Sequence, residues 1–217
     1  MPGFAFIAAA YLVGSLPQLR LLARLRHLNT EGDLHIGLWE QGGHLVAVIG
    51  VFGDFAKGVI VILVGRQLNL ETSILALAGL AVVSGQMWPL FTGFDGEKGN
   101  SVGIAMAATL TPVPLLIALV PIATGLIIRM TPRVLKSEPP IGGRPSLSLP
   151  LGMAIGFLVL PFAGLFTGEP PVIFWAYLAL FLLIMLRRVT AGLRADLAEG
   201  DTDGIFINRL LFDRSRI

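Results

Sequence analysis

The sequence predicts an all-α integral membrane protein: a bundle of about seven transmembrane helices, some short, with the N-terminus outside and the C-terminus cytoplasmic. Three observations predict it. Apolar residues make up 54% of the 217 residues and charged residues only 14%, where a soluble domain carries roughly 25% charged residues. The apolar residues lie in long runs separated by short polar links. Lysine and arginine collect in alternate links, which is the asymmetry that orients membrane spans. The absence of cysteine excludes a disulfide framework and a thiolate metal site, and the three histidines do not suggest a metal centre. The net charge of +2 does not point to nucleic acid. No metal and no cofactor are expected.

The first apolar run covers residues 4–22 and closes on Arg20, Arg24 and Arg26, with no basic residue before it. This places the N-terminus outside. Residues 28–43 form a polar link. The second span, 44–64, carries Asp54 and Lys57 three residues apart on one helix face. Charges at that depth are costly unless paired and turned inward, so a structural ion pair is expected. The third span covers 75–91. Residues 102–128 are apolar but contain Thr111, Pro112 and Pro114; a proline inside a helix costs ~3 kcal/mol, so a short helix, a tight turn and a second helix are expected. A polar link at 129–149 holds Arg129, Arg133, Lys136 and Arg144, and two further spans cover 149–166 and 172–186. Reading 102–128 as two pieces puts nearly every basic residue on the cytoplasmic side, which supports the break independently. Residues 1–188 then form one polytopic domain. Residues 189–217 form a cytoplasmic tail, read either as an amphipathic segment on the membrane surface or as a solvated tail.

Between the third and fourth segments stands GQMWPLFTGFDGEKGNSVG, residues 85–103. Glycines let backbone N–H groups face an anion, Lys98 adds a full positive charge, and Asn100 and Ser101 open the next helix. That combination suits a phosphate group, although the spacing is not that of a nucleotide P-loop. The alternative on the residues alone is a polar interfacial loop with a snorkelling lysine.

Four stretches resemble the bacterial acyl-phosphate:glycerol-3-phosphate acyltransferase family. Tyr11, Leu12, Gly14, Ser15 and Pro17 match the family's opening Tyr-Leu-x-Gly-Ser-x-Pro. Asp54, Lys57 and Gly58 match its Asp-x-x-Lys-Gly. Gly85, Pro89, Phe91, Phe94, Gly96, Lys98 and Gly99 match its glycine-rich loop. Ser146 and Leu147 resemble its Ser-Leu before a late helix. The chain departs from the family elsewhere. In the first cytoplasmic motif Asp33 stands for serine and His35 for asparagine, and the closing arginine is missing. Gln86 stands for histidine and Glu97 for glycine, and of the late His-Arg-Glu-Asn only Arg188 has a match.

The resemblance implies transfer of a fatty acyl group from acyl phosphate to glycerol 3-phosphate, giving lysophosphatidic acid for phospholipid synthesis. The setting it implies is the inner cell membrane, with the site at the cytoplasmic face and membrane lipids around it. Lys98, Ser146 and His35 are the expected catalytic residues, with His35 as a candidate general base. Gly96, Gly99, Asn100, Ser101, Arg144 and Arg188 are the expected substrate-binding residues, either arginine replacing the missing one. Gly14, Ser15, Asp54 and Lys57 are expected to be structural. Two other classes stay open: a non-catalytic or altered-substrate relative that keeps the fold, and a small transporter.

Overall fold

The computed structural model describes residues 2–28, 34–136, 146–198 and 204–214, and among these the only regular structure is helical. The described chain divides into two units, one ending at Pro112 and the other starting at Val113. The first holds α1 (Pro2–Gly14), α2 (Gln18–Leu25), α3 (Leu34–Gln41), α4 (His44–Gln67), α5 (Thr72–Met87) and α6 (Asn100–Leu110). The second is built on α7 (Pro112–Leu135), α8 (Ser148–Phe166), α9 (Pro171–Thr190), α10 (Leu193–Ala198) and α11 (Ile205–Phe212). Six stretches are long and apolar enough to cross a membrane, and α6 is a shorter apolar helix of 11 residues.

The break near Pro112 is present. Leu110 ends α6, Thr111 is extended at φ −146°, and Pro112 opens α7. Proline disfavours helical backbone in the residue before it and has no N–H to lose at a helix start. Pro114 is tolerated for the same reason, since it lies in the first turn, where N–H groups have no helical acceptor.

Four boundaries differ from the sequence reading. The first apolar run is two helices, because Pro17 cannot continue the ladder and the chain turns at residues 15–17. The link at 28–43 contains α3, whose Leu34 and Leu38 pack with Leu19 and Ala23 of α2 and Val46 and Ala47 of α4. This satellite core gives a short helix its stability from packing rather than propensity. The helix of the third span ends at Met87, ahead of Pro89, while the apolar stretch runs on to Thr92 as expected. Lastly, α7 runs on to Leu135, so Arg129 and Arg133 are helical rather than in a link.

In the first unit α1 packs along α5, and α4 packs against α5 and α6. The α1–α5 crossing is a backbone contact. A Cβ at Gly14 would lie 2.1 Å from the carbonyl oxygen of Val82, and one at Gly85 would lie 2.2 Å from that of Tyr11. Only glycine permits this approach, in the way small residues bring membrane helices together. The Tyr11 hydroxyl donates to the carbonyl oxygen of Trp88 at 2.6 Å, pinning the end of α5 to α1. In the second unit α8 packs on α9, and α11 turns Ile205 and Arg209 into both.

Candidate functional site

The first unit contains a cavity of about 30 Å³. Its wall comes from the α1–α2 break, from α4, from the end of α5 and from the glycine-rich loop.

The break is held open by α4. The last carbonyls of α1 have no helical partner, and Pro17 offers no N–H to them. Lys57 adds a donor: its Nζ reaches the oxygen of Gly14 at 3.5 Å and that of Leu16 at 2.8 Å, the latter also accepting from the N–H of Gln18 at 3.0 Å. The same amine lies 3.3 Å from Oδ1 of Asp54. Gln18, at the start of α2, donates Nε2 to that Oδ1 at 2.7 Å and to the Gly50 oxygen at 3.3 Å. Lys57 and Asp54 are 6% and 1% exposed, so the charges are paired where water is scarce. Ser15 is buried and donates to the Tyr11 oxygen at 2.9 Å. The opening motif and the Asp-x-x-Lys motif, 40 positions apart between Gly14 and Asp54, are therefore one structural unit.

The glycine-rich loop folds back on the end of α5. The N–H of Glu97 donates to the Gln86 oxygen at 3.1 Å, and that of Phe94 to the Pro89 oxygen at 3.0 Å. A Cβ at Gly96 would sit 2.2 Å from the Gln86 oxygen, so glycine is required there. Arg20 of α2 straps the loop from the other side: its Nη2 donates to the Asp95 carbonyl oxygen at 2.7 Å and to Oδ2 at 3.0 Å. Thr92 Oγ1 donates to the same carbonyl at 2.9 Å. Gly99, at φ +76°, turns the chain into α6, which Asn100 and Ser101 open as expected. Lys98 is half-buried just before that helix start, and Asn100 Oδ1 is buried with no hydrogen-bond partner. Unbonded first-turn N–H groups beside a lysine make an anion-binding arrangement.

Ser146 and Arg188 belong to the second unit. Ser146 Oγ accepts from the N–H of Leu149 at 3.3 Å and lies 2.8 Å from Ser148 Oγ. Ser148 donates its single proton to the Gly125 oxygen at 3.0 Å, so Ser146 is the donor in the pair. Its hydroxyl is thus used twice within the α8 entry. Arg188 is 1% exposed and donates Nη1 to the oxygens of Pro150 and Leu210, at 3.0 and 3.3 Å. This binds α8, α9 and α11 together, and it commits one end of the guanidinium to backbone.

Two expected residues have no described surroundings. His35 lies in α3, but its side chain is outside the described residues, and so is all of Arg144. Among the described residues no group of three or more histidine, aspartate or glutamate side chains is placed to hold a metal ion.

Other residues were not singled out from sequence. On sequence Gln18 and Arg20 fall within or at the end of the first apolar run, and only the fold brings them to α4 and the loop. Arg209 is 5% exposed and donates to the carbonyls of Arg188 and Val189 at 3.3 Å each, to that of Ala191, and to Asp196. It closes the C-terminal end of α9. Its spacing of four from the buried Ile205 was the available signal.

A family model described as glycerol-3-phosphate acyltransferase matches residues 4–195. Glycerol-3-phosphate acyltransferase 4 of Dehalococcoides mccartyi (strain CBDB1) is 31% identical over 216 residues, covering 96% of this chain and 87% of that one. Glycerol-3-phosphate acyltransferase 5 of another strain of that species is 30% identical, covering 95% and 86%. Among solved structures, the integral membrane glycerol 3-phosphate acyltransferase PlsY (YgiH), in its lysophosphatidic acid form, is similar with a TM-score of 0.71. That match has 21% identity and covers 92% of this chain and 93% of the other, so it speaks for the fold. Its glycerol 3-phosphate form gives a TM-score of 0.69 at the same identity.

Proposed function

Because the chain belongs to the glycerol-3-phosphate acyltransferase family, we propose that it moves a fatty acyl group from acyl phosphate to glycerol 3-phosphate. It acts in the inner cell membrane, with its reacting groups at the cytoplasmic face. The family match over residues 4–195 carries the reading, and it favours the enzyme over the transporter and the non-catalytic relative. The basic links support the orientation; in this reading residues 189–217 stay on the cytoplasmic side.

Acyl phosphate is a mixed anhydride and is already activated. A hydroxyl oxygen of the acceptor attacks the acyl carbon, the bond from that carbon to the phosphate oxygen breaks, and phosphate leaves. The hydroxyl proton ends on the departing phosphate, so neither a covalent enzyme intermediate nor a cofactor is required. The protein's work is alignment and charge compensation. Lys98, the backbone around Gly96 and Gly99, and the α6 start at Asn100 and Ser101 hold a phosphate group. The family resemblance gives Ser146 the part of a hydrogen-bond donor to substrate. Arg144 or Arg188 supplies the guanidinium that stands for the family's missing arginine. His35 is the candidate general base that takes the hydroxyl proton and passes it on to the departing phosphate.

The test uses the purified protein in detergent with acyl phosphate and labelled glycerol 3-phosphate. Labelled lysophosphatidic acid and free phosphate are expected in equal amounts. Lys98→Ala lowers turnover about 100-fold, the loss typical of one electrostatic contact to the reacting charge. Absence of turnover with acyl phosphates of every chain length refutes the reading.

A further inference from the structure

We infer that the side-chain amide of Gln86 reads the non-reacting hydroxyl of the acyl acceptor in the cavity between α2 and the glycine-rich loop. The inference rests on the acyltransferase reading and adds a specificity-determining residue to its acceptor site.

Gln86 stands in the last turn of α5, lines the cavity and is 4% exposed. Its Oε1 is buried and has no hydrogen-bond partner. A buried amide oxygen in that state calls for a donor. The neighbouring donors point elsewhere: Gln18 Nε2 is on Asp54 and Gly50, the Lys57 amine is on the α1 carbonyls and Asp54, and Arg20 Nη2 is on Asp95. The donor therefore comes from whatever enters the cavity.

Charge and size narrow the ligand group. The lining carries two cations, Arg20 and Lys57, against three carboxylates, Asp54, Asp95 and Glu97. A phosphate gains nothing from such a wall, whereas a neutral hydroxyl donates into it. The volume of about 30 Å³ admits a water-sized group and no acyl chain. The hydroxyl that reacts must face the acyl donor, so the one seated here is the other. A glutamine, unlike a histidine, does not exchange a proton at neutral pH, which suits recognition rather than proton transfer.

The test compares glycerol 3-phosphate with 3-hydroxypropyl phosphate, which lacks the middle hydroxyl, using full-length protein in detergent. Wild type is expected to favour glycerol 3-phosphate at least tenfold in kcat/KM, as expected where a site is built to bond a hydroxyl. Gln86→Met, of similar volume without the amide, brings the two acceptors to within about twofold. The change falls on the KM for glycerol 3-phosphate, and the KM for acyl phosphate stays the same. Gln86→His restores a hydrogen-bonding group and keeps part of the preference. Retained discrimination in Gln86→Met overturns the inference, because a water then satisfies the amide. Wild-type turnover that does not distinguish the acceptors overturns it without any variant and leaves the acyltransferase reading intact. No wild-type turnover on either acceptor overturns both.

Discussion

Replacing Lys57 by methionine tests the reasoning about the first unit most directly. The substitution keeps the unbranched stem and removes the amine. Asp54 then stays 1% exposed without its cation, and the Leu16 oxygen loses a donor at 2.8 Å. Breaking a buried pair from one side costs about 3–5 kcal/mol. Polar groups in a detergent-unfolded state also find partners, which pulls the figure toward the lower end, about 3 kcal/mol. Asp54→Asn in the same chain removes the orphaned charge but not the lost donor to α1. The double variant should therefore recover about 1–2 kcal/mol relative to Lys57→Met alone. Unfolding by a denaturing detergent, followed by tryptophan fluorescence, gives the three free energies. Single losses that add in the double variant would show that Asp54 and Lys57 do not act as a pair. A Lys57→Met loss below about 1 kcal/mol would show that the α1 carbonyls do not depend on the amine.

Two further outcomes follow from the packing. Gly85→Ala places a methyl group 2.2 Å from the Tyr11 oxygen and should cost about 3 kcal/mol as α1 and α5 separate. Gly93→Ala meets nothing within 4 Å and should cost only the strain of a positive φ, about 1 kcal/mol; thermal unfolding of the two variants side by side checks the difference. Arg209→Met leaves the α9 carbonyls and Asp196 without their donor. Hydrogen exchange should then quicken at least tenfold across residues 204–214 while α8 and α9 keep their protection; uniform exchange across all three helices would contradict a local clasp.

The bundle was legible because lipid demands long apolar runs and proline punctuates them, as at Pro112. Asp54, Lys57 and the loop glycines could also be named in advance, since each answers a local constraint of buried charge or backbone conformation, whereas Gly14 is named only through the family motif. What joined them could not be read. Nothing local says that Lys57 serves the carbonyls of Gly14 and Leu16, because that contact depends on how α1 breaks and where α4 passes. Arg20 shows the same limit: on sequence it is one of several basic residues after a span, and its bond to Asp95 exists only once the loop folds back. Arg188 was read by its chemistry as an anion ligand, while its burial against Pro150 and Leu210 depends on where the tail helix returns.

The loop between α5 and α6 owes its shape to amide–carbonyl pairs, Glu97 with Gln86 and Phe94 with Pro89. Such pairs are indifferent to which side chain each position carries. Positions 86 and 97 are thus free to drift chemically while the cradle keeps its outline, so selectivity can be retuned without rebuilding the scaffold. A library open at position 97 and limited at the buried position 86 to uncharged residues no larger than glutamine should yield mostly well-folded proteins that differ in what they accept.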